Sequence, residues 1–599
     1  MNKSNWGFRL FLVCAVALAI AQTQTTLVAW FLYGEWQLHW PWRGYQLSAH
    51  FYELHNRSIN IANSLTVFFA VALLFCGAII ARRDDSGHSN DSAHGTARWA
   101  KKADIAAADL IHQKIPEDAV IVGAWNDPKS RFKTYLWHNG AEHFFGVAPT
   151  RSGKGVGLVL PTLLHYRHSV LVSDLKGELW ELTAGWRASI GQKALPFEPA
   201  SHQSVGWNPL SEIRINTPDD VGDAQAIALS IVDADGKGLH DHWTKTAFAL
   251  LTGLILHVCY KAQHEAKKRE SLTPAEAAKE PIYTASLSTI DAELTKPGRK
   301  PKVFYESIIK YPHVNGQPHE NAASAAQTML NTPENEGGSI QSTVLSFLSL
   351  YRDPLVKQNT TRSDFKINDL MRSDSPISLY LITQPKDKER LRPLIRLFIT
   401  MSIRLLADGM VFENGRSKAT YKHRLLFMLD EFPQLGKMEI LQEALAYVAG
   451  YGLKLYLIAQ DLGQLHAHYG KEETITSNCH IQSAYAPLKN DTANYLSAMT
   501  GEATVYTNFK SYSGQVGSLQ RSYSTSVQAV KRNLLTPDEI MRLPPPKKDG
   551  SIIKEAGDML IFSAGRPAIY GKQVLFFQDP VFLARSKILA PDRANFGTN

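Results

Sequence analysis

Cysteine is scarce in this chain. Four residues in 599 (Cys14, Cys76, Cys259 and Cys479) lie far apart, at no spacing that ligates a metal or closes a redox pair. That excludes a disulfide scaffold and a thiol redox centre, and it implies a reducing compartment. Long low-complexity runs are missing too, and neither sign of charge dominates: 64 Lys plus Arg against 56 Asp plus Glu leave +8. So small an excess mildly favours anionic partners such as nucleic acid or acidic lipid, and a generic solvated surface explains it about as well. What is present, 44% hydrophobic and 20% charged residues, is ordinary for a folded protein, and the length implies two or three units.

Two apolar runs stand near the start. Residues 10–32, "LFLVCAVALAIAQTQTTLVAWFL", and 61–81, "IANSLTVFFAVALLFCGAIIA", each reach the roughly 20 residues that a membrane helix needs. The second ends on Arg82-Arg83, so the positive-inside rule places everything beyond 83 in the cytoplasm. The first carries the polar patch "QTQTT" at 22–26. Its basic start and "AIA" also fit a cleavable signal peptide, but apolar character resumes at 27–33, too soon for a mature terminus. The sequence therefore predicts a membrane region over 1–83 with a short periplasmic loop at 33–60, whose "GEWQLHWPWRGY" suits the membrane–water interface. A polar, Gly/Ser-rich linker follows.

The run "VAPTRSGKGVGLVLPTLL" (147–164) spells most of a phosphate-binding loop, and here too the omissions matter. Ala148 stands where the first Gly usually is, and Gly155 where a Ser or Thr normally gives Mg²⁺ a hydroxyl ligand. The flanks are nonetheless right: a β-type "EHFFGV" before and an apolar helix start after. In that context the segment Thr150, Arg151, Ser152, Gly153, Lys154, Gly155 and Val156 wraps phosphates with backbone N–H groups, and Lys154 supplies a positive charge. Downstream, "RLLFMLDEF" (424–432) is an apolar strand ending in two carboxylates. Asp430 is placed to hold Mg²⁺, directly or through water, and Glu431 to polarise the attacking water as general base. "LKLYLIA" (453–459) ends in Gln460, placed to sense the γ-phosphate or orient water. Further β-type runs at 169–173, 377–383 and 558–562 complete an alternating strand–helix pattern, so the fold class is α/β with a parallel sheet whose ligands bind at the strands' C-terminal ends.

An ordered series of segments resembles the VirD4/TraG-type coupling proteins of type IV secretion systems: "GTARWA" (95–100), "APTRSGKGVG" (148–157), "VSDLKGELWELTAGWR" (172–187), "GWNPL" (206–210), "LSLYRDP" (348–354), "FMLDEFPQLGKME" (427–439), "YGLKLYLIAQDLGQLHAHYG" (451–470) and "LLTPDEIMRLP" (534–544). The resemblance runs from about residue 10 to 580. It implies a RecA-like (FtsK-like) phosphate-loop ATPase using ATP and Mg²⁺, anchored in the bacterial inner membrane by two spans and forming a ring, as a hexamer. Its implied partners are single-stranded DNA with its relaxase and the inner-membrane components of a secretion channel. Lys154, Asp430, Glu431 and Gln460 match the family's nucleotide-site positions; Asp174, Lys176 and Glu178 match a signature whose chemistry the residues do not reveal. Ring ATPases also need an arginine from a neighbour. The stretch "AYVAGYGLK" (446–454), where some relatives place one, has none.

The organisation expected is a nucleotide-binding domain in two parts, 84–215 and 348–599, interrupted by an all-α domain over 216–347 that the family uses to contact DNA or relaxase. "YTNFKSYSGQVGSLQRSYSTSVQAVKR" (506–532) interleaves aromatic and basic residues, which suits single-stranded nucleic acid as well as it suits a mobile surface loop. Two other functions fit the same residues: a motor whose cargo is protein effectors, and a docking receptor that binds nucleotide and hydrolyses little.

Overall fold

The computed structural model describes residues 4–34, 36, 39–83, 95–127, 129, 133–233, 236–409, 411–413, 416–418, 420–513, 522–550 and 552–597. They form two compact units, Met1–Ala93 and His94–Asn599.

The first unit is a helical pair, Ser4–Tyr33 and Arg43–Arg83. Two residues of the polar patch that weakens the first apolar run, Gln24 and Thr25, find partners across the pair, while Gln22, Thr23 and Thr26 bond within the first helix. Thr25 is fully buried and its hydroxyl accepts the Gly44 N–H at 3.0 Å, while Gln24 Nε2 donates to Asn63 Oδ1 at 3.0 Å. A Cβ on Gly44 would lie 2.5 Å from the Thr25 backbone, so glycine is what lets the chain approach this closely. Among the described residues one helix is long and apolar enough to cross a membrane, over Ala15–Tyr33. Of the second predicted span, 61–81, the side chains from 73 onward lie outside the described residues. The stretch read as loop to residue 60 is helical from Arg43, with a non-helical break at His55. "YQLSAHFYELHN" has no proline and enough helix formers to extend the turn, and its aromatics masked that signal.

The second unit is built on an eleven-stranded sheet. Its strands are β1 (Val120–Asn126), β2 (Lys133–His138), β3 (Phe144–Val147), β4 (Ser169–Leu175), β5 (Lys193–Phe197), β6 (Ile377–Thr383), β7 (Leu425–Leu429), β8 (Leu453–Ala459), β9 (Ile481–Ala484), β10 (Asp558–Ser563) and β11 (Ile569–Lys572). The spatial order is β2-β1-β11-β10-β9-β3-β8-β7-β4-β6-β5. From β9 to β5 every neighbouring pair is parallel; from β9 back to β2 every pair is antiparallel.

The parallel strands read as continuous apolar runs because both faces are covered. In β7, Leu425, Phe427 and Leu429 enter one core while Leu426 and Met428 enter the other; β6 divides Leu379 and Leu381 from Tyr380 and Ile382 in the same way. Between β5 and β6 the chain runs through helices including Asp220–Val232, His242–Glu270, Leu287–Leu294, Pro301–Lys310, Glu320–Asn331 and Glu334–Leu348. Their buried residues, Leu251, Ile290 and Val344 among them, join the first of those cores. The Ser/Tyr-rich stretch forms two antiparallel strands, Glu502–Ser513 and Ser522–Asn533. The described part of this stretch is thus paired backbone, and residues 514–521 between the strands lie outside the described residues.

Candidate nucleotide site

The tips of β3, β8, β7 and β4 stand side by side, since these four strands are sheet neighbours in that order. Each delivers one part of a site. β3 runs directly into the predicted phosphate loop, whose turn uses left-handed backbone at Arg151 (φ 60°) and Gly153 (φ 93°). A helical turn begins at Gly155 and continues to Leu163, so the N–H groups of its first residues have no partner within the helix and face forward. The loop is pinned to the sheet by Ala148 N–H donating to Ala459 O at 2.9 Å.

The Lys154 ammonium lies 2.9 Å from Asp430 Oδ1 and 2.8 Å from Glu431 Oε1. Gln460 Nε2 donates to Glu431 Oε1 at 2.9 Å, and Gln434 Nε2 donates to Glu431 Oε2. The four residues singled out from β3, β7 and β8 thus converge. Gln460 serves here to hold Glu431. Glu431 sits in left-handed backbone (φ 54°), a strained conformation for a non-glycine residue that aims its side chain across the sheet edge. Burial raises the Asp430 carboxyl above its usual range, with Lys154 opposing it. Burial also raises Glu431, but the hydrogen bonds and charge of Lys154 and the Gln460 amide outweigh it, and its carboxyl is held low. Glu431 is therefore ionised at neutral pH.

Lys154, Asp430, Glu431 and Gln434 border a cavity of about 440 Å³, shared with Arg151, Gly155, Val156 and the β4 tip; Gln460 reaches it only through its hydrogen bond to Glu431. Of the other predicted loop residues, Thr150 is exposed, Ser152 Oγ is buried without a hydrogen-bond partner, and Thr150, Ser152 and Gly153 do not line this cavity. The β4 tip explains the Asp-x-Lys-Gly-Glu signature. Asp174 is buried and accepts the N–H groups of Leu179 (3.2 Å) and Trp180 (2.7 Å), capping the helix Glu178–Ser189. The cap fixes an unusual turn, Lys176 at φ 84° followed by Gly177 at φ 82°, which sets Lys176 and Glu178 on the cavity wall.

Sequence reasoning missed Ser173, Thr383, Lys388 and Arg392, which also border the cavity. One signal was available. Lys388 opens the helix Lys388–Leu406, and a cation at a helix N-terminus works against the macrodipole unless something anionic is near.

For a divalent cation the fit is partial but real. Asp430 Oδ1 is buried with no hydrogen-bond partner of good angle, although an ammonium stands 2.9 Å away. A Cβ on Gly155 would meet nothing within 4 Å, so there is room where the usual hydroxyl would be.

A phosphate-type loop on one strand, facing a carboxylate pair on the next but one, defines a phosphate-loop α/β protein. The comparisons with known proteins carry this further. The family described as "Type IV secretory system Conjugative DNA transfer" matches residues 96–595. The chain is 50% identical over 572 residues to "Conjugal transfer protein TraG" of Escherichia coli, covering 92% of this chain and 87% of that one. It is 29% identical over 527 residues to "Protein VirD4" of Rhizobium radiobacter, covering 86% and 68%. Among solved structures, the unbound bacterial conjugative coupling protein TrwBdeltaN70 superposes with a TM-score of 0.53 at 18% identity, over 80% of this chain and 92% of that one. TrwB in complex with the ATP analogue ADPNP gives 0.51, also at 18%. The chain belongs to the conjugative DNA transfer family of type IV secretion, the VirD4/TraG-type coupling proteins.

Proposed function

We propose that the protein is a membrane-anchored, ring-forming ATPase that couples a DNA–relaxase substrate to a type IV secretion channel and drives transfer of single-stranded DNA. In this reading it is an inner-membrane protein with two N-terminal spans and its bulk in the cytoplasm. Its RecA-like domain carries the helical segment 216–347 as an insertion, and it works as a hexamer with the relaxase and inner-membrane channel components as partners. The observation that carries the reading is the bridging of Asp430 and Glu431 by Lys154 at the C-terminal edge of a parallel sheet. Membership of the conjugative DNA transfer family and the likeness of fold to TrwB support it.

The roles follow from the geometry. Lys154 bridges the carboxylate pair as it stands and offsets one of their charges; when a triphosphate enters, the ammonium turns to the β- and γ-phosphates and both carboxylates are released. Asp430, with Ser173 nearby on the cavity wall, would hold Mg²⁺, which screens phosphate charge when bound. Glu431, ionised and steadied by Gln460, accepts a proton from the attacking water. Lys176, Lys388 and Arg392 add positive charge to the cavity from the far side.

ATP turnover by the full-length protein in nanodiscs, with and without single-stranded DNA, tests this. DNA should raise turnover. Lys154→Ala should abolish nucleotide binding, and Glu431→Gln should bind ATP yet lose at least about 100-fold in turnover. Normal turnover in Glu431→Gln would remove the general-base assignment. ATP binding and ring formation with no turnover above Lys154→Ala would instead favour the docking-receptor reading, which the missing hydroxyl at Gly155 keeps in play.

A further inference from the structure

The segment Gly95–Ala100, "GTARWA", takes no part in the proposed chemistry. It fastens the end of the linker to the second unit in two places. Ala100 N–H donates to Ala568 O at 2.9 Å, and the Trp99 ring meets Tyr570 of β11 edge-on at 5.3 Å. Its first three residues run beside the strand Glu502–Ser513. Ala97 N–H donates to Glu502 O at 3.0 Å, Thr96 pairs antiparallel with Ala503, and the Thr504 hydroxyl donates to Gly95 O at 3.4 Å. A Cβ on Gly95 would lie 2.1 Å from Glu502 O, so only glycine permits this approach.

The chain that leaves the proposed anchor is thereby tied to the root of the ribbon formed by Glu502–Ser513 and Ser522–Asn533. From Arg83 to Gly95 the chain can reach at most about 43 Å. Two strands of 12 residues make a ribbon about 40 Å long. In the anchored reading the root therefore stands within the linker's reach of the bilayer, and the ribbon is long enough to close most of that distance.

The ribbon's two strands make a sheet of their own, an arrangement that is marginal in water. On one face Val505 stands directly opposite Val530, and Phe509 follows two side-chain positions further along. The three are 38%, 39% and 47% exposed. Arg532, opposite Ala503, shares that face. Residues 502–533 include Lys510, Arg521, Lys531 and Arg532 against the single acid Glu502. Lys531 and Arg532 lie 2.7 Å from Glu502 and 2.5 Å from Glu539. Exposed pairs of this kind are worth little, so both cations can exchange them for lipid phosphates.

We infer that this ribbon is a membrane-contact element whose Val505–Val530–Phe509 face lies on an anionic lipid surface, the cytoplasmic leaflet. The inference rests on the anchored reading above. A bilayer interface takes apolar side chains and cations together. Single-stranded nucleic acid suits the cations and Phe509 but has no use for a valine pair, which offers neither a ring for a base nor a donor for a phosphate.

The test uses full-length protein in nanodiscs of phosphatidylcholine, alone or mixed with phosphatidylglycerol, carrying a trace of lipid with a diazirine high on its acyl chain. After photolysis of the wild type, peptides covering 502–509 and 528–533 should be labelled in the anionic discs, along with the spans 10–32 and 61–81. In phosphatidylcholine alone the ribbon label should fall about tenfold while the span label stays. The triple variant Val505→Thr, Phe509→Thr, Val530→Thr keeps strand-forming residues, and should lose about tenfold of the ribbon label in anionic discs. Excess oligothymidylate should leave the wild-type label in place. Labelled spans with an unlabelled ribbon would overturn the inference and leave the anchor standing, and so would a triple variant labelled like the wild type. Equal ribbon label in both lipids would overturn the preference for anionic surface. Displacement by oligothymidylate, with its crosslinking to the ribbon, would assign the face to nucleic acid instead. Unlabelled spans would overturn the anchored reading, and the ribbon inference with it.

Discussion

Gly155 and Asp174 show how single residues shape this site. A hydroxyl is missing at Gly155, yet the backbone there is helical and a Cβ would meet only open space. Gly155→Ser should therefore fold without strain, and serine is the better helix residue. If the hydroxyl reaches the cation, the Mg²⁺ midpoint for ATP binding should fall about threefold, roughly the worth of one modest ligand contact. An unchanged midpoint would mean that water or Ser173 already serves. Asp174 makes a different point. Its carboxyl is pushed up to about 6, chiefly by burial, against the pull of the Trp180 and Leu179 N–H groups. Between its usual 3.8 and about 6 the folded protein keeps a proton that the unfolded chain has lost, so this group's contribution to stability falls as pH rises through that window. Asp174→Asn should show the converse: measured as Tm, its deficit relative to wild type should shrink between pH 4.5 and pH 7. Asp174→Ala, which removes both acceptors together with the titrating group, should cost about 1–2 kcal/mol more than Asp174→Asn at either pH.

Elements decide which of the chain's carboxylates and cations meet. Strands β6, β7 and β8 were legible because each is a largely apolar run, rich in Leu and broken only by residues such as Ser378 and Lys454, and two of them stop at polar residues: Asp430-Glu431 after β7 and Gln460 after β8. Strands β1, β2, β9 and β11 were not legible. They are short or interrupted by glycine, as at Gly123 and Gly571, and only pairing with neighbours holds them extended. The helix that follows the phosphate loop depends on such a neighbour. A Cβ on Gly157 would lie 2.6 Å from the Tyr485 hydroxyl, just past β9, and 2.9 Å from Val574 O. Gly157→Val should destabilise the protein by about 1–3 kcal/mol through overpacking, read as a lower Tm, and should weaken ATP binding because the helix start moves with it. A variant with unchanged Tm would show that this helix is looser than its packing implies.

For the whole molecule, the proposed function assigns anchoring to the first compact unit and chemistry to the second. If ring closure completes each site with a neighbour's residue, assembly and turnover must fall together. A chain beginning at residue 95 should then lose, at micromolar concentration, about tenfold or more in turnover per protomer relative to the full-length protein in nanodiscs, with a matching drop in oligomer mass by light scattering. Full turnover by a monomeric truncated chain would show that each protomer's site is complete alone.

The sequence by itself determined the class of the fold, the phosphate loop, the carboxylate pair and Gln460, because each is written locally: a strand, then polar residues at its tip. Only the tertiary structure decided that β8 lies between β3 and β7, which is what lets Lys154 reach Asp430 and Glu431 and turns Gln460 toward Glu431. It alone brought Lys388, Arg392 and Lys176 to the same cavity, and set Lys548 against the Arg151 carbonyl of the loop. These are meetings of segments remote along the chain. They are set by strand order and by which faces the two cores bury, and neither leaves a pattern in any one stretch of sequence.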